Sequence, residues 1–277
     1  MGIVNVTPDS FSDGGEFLDP ERAIAHGREL ARQGADLLDI GGESTRPGAA
    51  AVNSGEELLR VQPVIEALVT DGTPISIDTS KAAVAEAALD AGATMVNDVT
   101  ALRGDPELAA VCAEAGCEVV LMHMLGDPRT MQENPTYDDV VDDVKAFLAE
   151  RIEFAVSQGI DEGRIWIDPG IGFGKTAEHN LELHRRLGDL GELGRPIAFG
   201  SSRKSFIGKL TGAEVDERLG GTIASNVIAF ANGARMLRVH DVGPMRQALT
   251  IAEAILDPSR AAAFVRGGSA RSHPINE

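Results

Sequence analysis

The feature of the sequence that most restricts its fold is a unit that recurs along the chain. A short apolar run ends in a polar residue and is followed by a helical segment. In one copy the apolar run ends at Asp78, an alanine-rich segment stops at Gly92, and the next run ends at Asn97 and Asp98. Runs rich in Val, Ile and Leu without alternation are typical of parallel strands buried on both faces. The unit therefore predicts parallel strands that alternate with helices.

The chain contains eight such apolar runs. Their polar ends are Asn5, Asp39, Asp78, Asn97, His123, Asp168, the segment 202–205, and Arg238 with His240. Eight βα units of this length predict an α/β fold, a (β/α)8 TIM barrel that forms one domain over residues 1–258. The alternative is a doubly wound open sheet, but no GxGxxG motif follows the first strand, and the segment 170–175 (GIGFGK) lacks P-loop spacing. Residues 259–277 lack a partner strand and are expected to form a frayed tail.

Asp-Pro pairs and glycines predict where helices begin and end. Asp-Pro pairs at residues 19–20 and 105–106 predict helix starts, because proline is favoured at the first helical position. Gly34, Gly92 and Gly116 predict helix ends, where a left-handed residue is common.

The charge and cysteine content exclude several classes of protein. The formal net charge is −18 and the pI is about 4.7, which argues against a nucleic-acid or anionic-membrane partner. A basic leader and a run of eighteen apolar residues are both missing, so we expect a soluble, cytoplasmic protein. Cys112 and Cys117 do not have CxxC spacing and are expected to be buried thiols.

In a parallel barrel the carboxyl ends of all strands meet at one rim, where active sites form. One strand-end aspartate is often only a helix cap, and this remains the alternative for Asp78 and for Asp168. Polar residues at all eight strand ends are not explained in that way. The pattern predicts one polar site at the mouth of the barrel.

Two groups of residues indicate the chemistry of this site. Carboxylate and amide groups at Asp78, Asn97 and Asp168, with Lys204 beside them, suit a flat heterocycle that has adjacent N–H donors and carbonyl acceptors. A cationic set predicts a bound phosphate-type anion near the start of the last helix; its members are Arg46, Lys204, Arg238 and His240. Asn5 is the candidate ligand for Mg²⁺, which prefers oxygen ligands and shares them with phosphates.

Two long glycine-rich segments follow the first two strands, at residues 5–17 and 41–55. Long loops at a barrel rim are more often functional than not. Phe11 is a candidate lid or stacking residue, although it could instead anchor its own loop. Arg46 could instead pair with Glu43.

The segments 2–15 (GIVNVTPDSFSDGG) and 39–49 (DIGGESTRPGA) resemble the two signature segments of the dihydropteroate synthase family. Further segments follow in the order of that family: SIDTSK at 76–81, VND at 96–98, LMHM.GDPRTMQ at 121–132, DPGIGFGK at 168–175, SRKSFIG at 202–208 and RVHDV at 238–242. The resemblance covers residues 2–256. Members usually carry a short segment before the first strand, whereas this chain begins almost on it. Since the predicted site is at the opposite end of the barrel, we expect the chemistry to be retained.

The resemblance implies a homodimeric (β/α)8 enzyme of folate biosynthesis, a transferase that is the target of sulfonamides. It would join 7,8-dihydropterin-6-ylmethyl diphosphate to p-aminobenzoate, with Mg²⁺, and release diphosphate. By the same resemblance, the pterin is held by Asp78, Asn97, Met122, Asp168, Phe173 and Lys204; the diphosphate by Asn5 (through magnesium), Arg46, Arg238 and His240; and p-aminobenzoate by Phe11, Thr45, Pro47, Phe173, Arg203, Lys204 and Ser205. The catalytic residues would be Asp78, Arg46, Lys204, Arg238 and His240.

Three rival functions remain open at this point. A barrel that passes a folate methyl group to a corrinoid protein has no use for the STRPG and SRKS segments. A metal-dependent hydrolase usually needs an HxH motif on the first strand, where this chain has Val4-Asn5-Val6. A non-catalytic pterin-binding protein is disfavoured only by the intact anion-binding set.

Overall fold

Eight parallel strands, paired in sequence order, form the centre of the protein. The computed structural model describes residues 1–7, 20–44, 51–126, 130–257 and 259. The strands are β1 (Gly2–Asn5), β2 (Leu38–Gly41), β3 (Ile75–Asp78), β4 (Met95–Asp98), β5 (Glu118–Met122), β6 (Ile165–Asp168), β7 (Ile197–Phe199) and β8 (Ala234–Leu237).

Helices follow the strands and surround them. They are α1 (Pro20–Arg32), α2 (Ser54–Val69), α3 (Ala82–Asp90), α4 (Leu108–Ala115), α5 (Val140–Ser157), α6 (Ala177–Arg185), α7 (Ser205–Thr211), α8 (Leu219–Ala231) and α9 (Val242–Leu256). Short 3-10 helices lie at Glu162–Arg164, Leu187–Leu193 and Val215–Glu217.

The sheet closes on itself where the segment after β8 meets β1. Gly2 forms a parallel bridge with Val239. The Ile3 amide donates to the Val239 carbonyl at 3.0 Å, and the Val239 amide donates to the Met1 carbonyl at 3.0 Å. The predicted (β/α)8 barrel is therefore confirmed, and the open-sheet alternative is wrong.

Two apolar layers hold the barrel together. Outside the strands, fully buried residues such as Ile40 and Ile77 belong to one core with helix residues such as Val61 and Ile65. Full burial of such a side chain stabilises the fold by about 1.5–3 kcal/mol. Inside the barrel, a smaller cluster fills the amino-terminal half; its members are Met95, Val120, Ala198 and Met236. The carboxyl-terminal half is left for polar side chains.

Several local predictions are tested by these elements. Gly34, Gly92 and Gly116 have positive φ angles of 97°, 107° and 59°, as expected for residues that end helices. Pro20 is the first residue of α1. At Asp105-Pro106 the helix begins later than predicted, because α4 starts at Leu108. Asp105 accepts a hydrogen bond at 3.0 Å from the Glu107 amide just before this helix, and another at 2.9 Å from the Ala82 amide at the start of α3.

Cys112 and Cys117 are both buried and free, as predicted. In the part of the chain that the structure describes, no helix is long and apolar enough to cross a membrane. The predicted barrel boundary at residue 258 and the predicted tail over 259–277 stay predictions, because residues 260–277 lie outside the described ranges.

Candidate active site

Strand register places the first polar residues of the site at one level of the barrel. Asn5 pairs with Gly41, Gly41 with Asp78, and Asp78 with Asn97. Register partners on neighbouring parallel strands point to the same side of a sheet, since side chains alternate along each strand. Asp78 and Asn97 therefore lie side by side in the mouth of the barrel, as the sequence predicts.

Arg238, which directly follows β8, joins two carboxylates in the mouth. Its Nε donates to Asp39 Oδ2 at 2.5 Å, and its Nη2 donates to Asp78 Oδ2 at 2.6 Å. Asn97 Nδ2 donates to the same oxygen of Asp39 at 3.1 Å. One connected network thus links the ends of β2, β3, β4 and β8.

Burial and charge act against each other on these ionisable groups. Burial raises the pKa of Asp78 to about 7, although the positive charge of Arg238 opposes this rise. Burial also acts to lower the pKa of Arg238, but the charges of Asp39 and Asp78 outweigh it and raise that pKa above its usual value. Arg238 therefore stays charged, whereas Asp78 changes its protonation state close to neutral pH.

A second group lies at the ends of β6 and β7. Lys204 Nζ donates to the carbonyl of Ile171 and lies 4.0 Å from the centre of the Phe173 ring. Burial lowers the pKa of Lys204 to about 7, against the opposing charge of Asp168. Burial also raises the pKa of Asp168. Met122 is the register partner of Asp168, so its side chain lines the same side of the sheet.

The loop after β6 has a conformation that requires glycine. Gly170 has a φ of 68°, and a Cβ there would lie 1.9 Å from the carbonyl oxygen of His123. The Gly170 amide donates to Asp168 Oδ1 at 2.7 Å. Gly172 has a φ of 80°, and a Cβ there would lie 3.0 Å from Cδ of Lys204. The loop is thereby packed closely against the end of β5 and against Lys204.

The helix-cap alternative fails for both aspartates. Helix α3 has Lys81 at its cap position, without a side-chain cap. Helix α6 is capped by Thr176, which accepts from the His179 amide in a capping box. Asp78 instead binds Arg238, and Asp168 stabilises the turn at Gly170.

The predicted anion-binding residues of β8 lie close to the loop after β7. The hydroxyl of Ser202 lies 2.9 Å from Nδ1 of His240 and accepts from the His240 amide at 3.2 Å. Helix α9 begins at Val242, two residues beyond His240. The structure therefore groups Arg238 and His240 beside the start of a helix, where backbone N–H groups favour an anion.

Two further predicted residues lie on the loop after β7. Ser205 is exposed and is the first residue of α7. Arg203 has a φ of 57°, and its guanidinium makes two hydrogen bonds to Asp241, at 3.1 and 2.7 Å. Arg203 is thus engaged by Asp241 at the edge of the site.

One residue of the predicted rim does not face the mouth. His123 follows the inward-facing Met122, so the alternation of the strand turns it outward. Its ring packs against Phe147 and Tyr137, and Nδ1 lies 2.9 Å from Nζ of the buried Lys175. Burial lowers the pKa of His123 to about 2, so the ring is neutral.

Four predicted residues, Phe11, Thr45, Arg46 and Pro47, lie outside the described residues. The alternative that Glu43 serves as a partner for Arg46 can be examined from the side of Glu43. Its Oε2 binds Lys81, and its Oε1 accepts from the Val52 amide at 3.0 Å. Glu43 is therefore already paired with another cation.

Sequence reasoning placed Asp39 among the polar strand ends at the mouth but gave no specific role to it, nor to Lys175 and Ser202, which the structure also places against the site. Asp39 stands two residues before Gly41, so strand alternation alone indicates that it points into the barrel. Lys175 and Ser202 lie within recognised segments, but their contacts depend on loop conformations that no local pattern predicts.

A cavity of about 620 Å³ opens at the other end of the barrel. It is lined by residues at the amino ends of the strands, among them Met95, Trp166 and Met236. The charged residues of this lining, such as Asp36 and Arg246, pair with each other and do not belong to the network of the mouth, so the cavity is not the candidate active site.

The mouth can therefore bind a polar ring and an anion at the same time. Carboxylate and amide groups face Lys204 on one side, and Arg238 with His240 lies on the other. Among the described residues there is no group of three or more His, Cys, Asp or Glu side chains that would hold a metal ion in a protein cage.

Comparisons with known proteins agree with this geometry. Residues 1–240 match the model of the pterin-binding enzyme family. A dihydropteroate synthase of Synechocystis sp. is 47% identical over 257 residues, which are 92% of this chain and 89% of that protein. The Escherichia coli dihydropteroate synthase is 45% identical over 92% of this chain and 91% of its own length.

Solved structures give the same result. A Xanthomonas albilineans dihydropteroate synthase with 4-aminobenzoic acid has a TM-score of 0.87 and 53% identity, over 92% of each chain. A Yersinia pestis dihydropteroate synthase in a sulfonamide complex has a TM-score of 0.88 and 45% identity, over 92% of each chain. The chain therefore belongs to the pterin-binding enzyme family, among the dihydropteroate synthases.

Proposed function

We propose that the protein is a transferase of folate biosynthesis, which condenses 7,8-dihydropterin-6-ylmethyl diphosphate with p-aminobenzoate to 7,8-dihydropteroate and diphosphate. The observation that carries the proposal is the network that joins Asp78, Asn97 and Asp39 to Arg238, inside a barrel that matches dihydropteroate synthases over nearly its whole length. In this proposal, the network supplies acceptors for a pterin ring next to a cation for diphosphate.

In this proposal the pterin lies across the mouth of the barrel. Asp78 and Asp168 accept hydrogen bonds from the N–H groups of the ring, and Asn97 and Lys204 complete the polar contacts. Met122 belongs to an apolar cluster that packs against Phe173, and these side chains cover the faces of the ring. A carboxylate is tolerated in this enclosed place because each one receives hydrogen bonds from the ring.

The diphosphate lies between Arg238, His240 and Arg46. Asn5 fits the role of a magnesium ligand, because it ends β1 at the mouth and Mg²⁺ takes only one or two protein oxygens beside water and phosphate. Magnesium, when bound, supplies positive charge that neutralises the leaving diphosphate.

The p-aminobenzoate site is proposed on the outer side of the pterin. Phe173 and the stem of Lys204 form its inner wall, and Ser205 and Arg203 lie toward the carboxylate; Phe11, Thr45 and Pro47 would contribute from the two long loops. The related structures with 4-aminobenzoic acid and with a sulfonamide support this assignment and the proposal that sulfonamides inhibit this protein.

The reaction is a displacement at the methylene carbon of the pterin. The arylamine nitrogen forms the new C–N bond, the C–O bond to diphosphate breaks, and its electron pair leaves with the diphosphate. Positive charge that develops on the pterin is stabilised by the Asp78 carboxylate. The arylamine attacks as a neutral nucleophile and loses its proton to solvent, so the step needs no strong general base.

The test is diphosphate release by the purified protein, with and without p-aminobenzoate. We expect release only with p-aminobenzoate and in equal amount with 7,8-dihydropteroate. Release without p-aminobenzoate would identify a hydrolase. Tight pterin binding without release would identify a non-catalytic protein, and methyl transfer from a folate to a corrinoid protein would identify the other barrel family.

A separate experiment tests the requirement for magnesium. With excess EDTA, product formation should stop, because the leaving diphosphate would lose its neutralising ion. Added Mg²⁺ should restore the activity, whereas added Na⁺ at the same ionic strength should not. Full synthesis in EDTA would contradict the proposed metal requirement.

We also propose that the protein is a cytoplasmic homodimer. Of the ten large apolar side chains that are exposed among the described residues, seven lie between Leu210 and Leu256. Large exposed apolar patches mark interaction surfaces. This region contains all of α8 and α9, so these helices are the proposed interface.

A further inference from the structure

Asp39 is a fully buried carboxylate that binds two residues of the proposed site through one oxygen. Its exposed fraction is 0%. Its Oδ2 accepts hydrogen bonds both from Arg238 Nε and from Asn97 Nδ2. Asp39 lies one inward-facing position below Gly41, at the level of Ser76 rather than of Asp78. It therefore lies beneath the residues that would face the substrate.

The other carboxylate oxygen of Asp39, Oδ1, is buried without a hydrogen bond among the described residues. Among the described residues, Oδ1 of Asp39 has no hydrogen-bond partner, and neither has the hydroxyl of its register partner Ser76. A buried carboxylate with an unpaired oxygen costs free energy, and replacing a whole buried ion pair by apolar residues of similar volume is often neutral or stabilising. Stability of the fold therefore does not by itself require the buried pair of Asp39 and Arg238.

We propose that Asp39 is a positioning residue, which holds Arg238 and fixes the orientation of the Asn97 amide. The proposal rests on the proposed function, since it assigns the pterin to Asp78 and Asn97 and the diphosphate to Arg238. A carboxylate accepts hydrogen bonds but does not donate them, so Asp39 binds the Nδ2 group of Asn97. The Oδ1 atom of Asn97 then points away from Asp39 and can accept a hydrogen bond from another group.

The shared cation explains why a second carboxylate is needed. Arg238 Nη2 binds Asp78 before substrate enters, and the proposed pterin contact requires this same carboxylate. When the N–H groups of the ring reach Asp78, Nη2 becomes available to the diphosphate. Nε remains on Asp39, so the guanidinium keeps its place while its other end changes partner.

The first test is a double-mutant cycle on kcat/KM for the pterin diphosphate, with labelled p-aminobenzoate so that slow variants remain measurable. Asp39→Asn should lower kcat/KM by at least about tenfold, the scale for losing a hydrogen bond to a charged group. In the Arg238→Ala background, the same change should lower it only by the roughly threefold effect that acts through Asn97, because the other group that Asp39 holds is gone. A fall of about tenfold or more in that background, or one below about tenfold in the wild type, would overturn the proposal.

The second test is the affinity of a pterin without diphosphate, measured by titration calorimetry. Asp39→Asn should weaken this binding at least about threefold, the scale of one neutral hydrogen bond, because the Asn97 amide can turn. The same change should have no effect in the Asn97→Ala background. An unchanged affinity in the wild-type background would show that Asp39 does not orient Asn97.

Glu57→Gln is the matched control. Glu57 is also fully buried, also binds a cation through one oxygen (Lys81, at 2.5 Å), and also has an unpaired second oxygen, but it lies on α2 outside the barrel. It should change thermal stability without changing the KM for the pterin diphosphate. An effect of Asp39→Asn no larger than that of Glu57→Gln would reduce Asp39 to a structural residue and overturn the proposal. Absence of dihydropteroate synthesis by the wild type would instead reject the proposed function.

Discussion

At the scale of single residues, Asp78 carries the charge that faces the reacting carbon in the proposed reaction. It is paired with Arg238 at 2.6 Å, and burial raises its pKa to about 7. A carboxylate in such an environment gains more from a nearby positive charge than one in water, because the low dielectric strengthens the interaction. Its effect on catalysis should therefore exceed its effect on substrate binding.

Asp78→Asn should reduce kcat more than it weakens pterin binding. The change keeps the shape of the side chain but removes the charge that faces the developing cation, a loss of about 2–4 kcal/mol by analogy with oxyanion-hole donors. Steady-state kcat and a directly measured pterin Kd test this expectation.

Asp98→Asn is the control for Asp78→Asn. Asp98 is also a strand-end aspartate and is 0% exposed, but it accepts hydrogen bonds from the Thr100 and Leu102 amides rather than from a site residue. Its kcat should stay close to that of the wild type. If Asp78→Asn raises only the KM, Asp78 is a binding residue and the catalytic role is wrong.

The pH dependence of kcat/KM should be bell-shaped with both limbs near neutral pH. The raised pKa of Asp78, about 7, means that the needed carboxylate is lost as the pH falls through that value. The lowered pKa of Lys204, also about 7, means that the needed ammonium is lost as the pH rises. Because kcat/KM reports the free enzyme, these are the groups it should reveal, as a coupled pair.

Lys204→Arg separates the two limbs of the profile. Arginine remains charged over the whole range, so the alkaline limb should disappear even if the maximal rate is lower. Titration of the substrates is the same in both measurements. Persistence of the alkaline limb in Lys204→Arg would show that another group controls it.

At the scale of elements, the loop between β6 and α6 connects the end of a barrel strand to the side chains of the proposed substrate pocket. Its Ile171 carbonyl accepts from Lys204, and its Phe173 packs against the same side chain. Buried Lys175 donates to the Phe173 carbonyl at 3.0 Å and contacts His123 at the end of β5. Hydrogen bonds from Lys204 and from Lys175 therefore hold the loop in place.

Gly170→Ala should destabilise this loop and reduce activity together. The added Cβ would meet the His123 carbonyl oxygen at 1.9 Å in a left-handed backbone, so we expect a loss of stability of about 1–3 kcal/mol. Denaturant unfolding and the KM for p-aminobenzoate would report the two effects.

Gly191→Ala provides the comparison for the loop. A Cβ at Gly191, in the 3-10 helix Leu187–Leu193, would have nothing within 4 Å. It should leave both stability and KM nearly unchanged. A Gly170→Ala protein with wild-type stability and KM would show that the loop adjusts without consequence.

At the scale of the whole molecule, most of the large exposed apolar side chains among the described residues lie between Leu210 and Leu256. Ile228 on α8 and Ile251 on α9 are 52% and 59% exposed, and these two helices are neighbours. Such a patch on a highly charged protein is typical of a subunit interface.

Replacing both Ile228 and Ile251 with Glu should convert the proposed dimer to a monomer. Burying two carboxylates in an apolar interface is strongly unfavourable, while each side chain is well solvated in the monomer. Sedimentation equilibrium measures the mass, and circular dichroism checks that the barrel remains folded. Leu59→Glu, at a position that is 79% exposed on α2, should leave the mass unchanged. A monomeric wild type, or a dimeric Ile228→Glu/Ile251→Glu variant, would contradict the proposed interface.

The sequence predicted the barrel well because each strand carries its own signal. An apolar run, a polar end and a glycine that closes the next helix recur locally, and neither long-range contacts nor loop conformations are needed to recognise them. The helix near Asp105-Pro106 begins two residues later than predicted. The second contact of Asp105, with the Ala82 amide of a different helix, has no local signal.

The site was less predictable than the barrel. Strand ends and motifs indicated Asp78, Asn97 and Lys204, but position at a strand end does not tell inward from outward residues, and so His123 was wrongly placed at the mouth. The role of Asp39 depends on partners from β4 and β8, 58 and 199 residues away. No local pattern contains such pairings.

The same long separation has a consequence for how the protein is made. Arg238 emerges from the ribosome 160 residues after Asp78 and 199 after Asp39, and it lies at the seam where β8 closes against β1. A nascent chain that lacks β8 has the two acids without their cation, and contacts so distant in sequence form late in folding. Substrate therefore meets a competent pocket only when the ring of strands is complete. A bound ligand should in turn stabilise the contact between β8 and β1 and slow the opening of the barrel there.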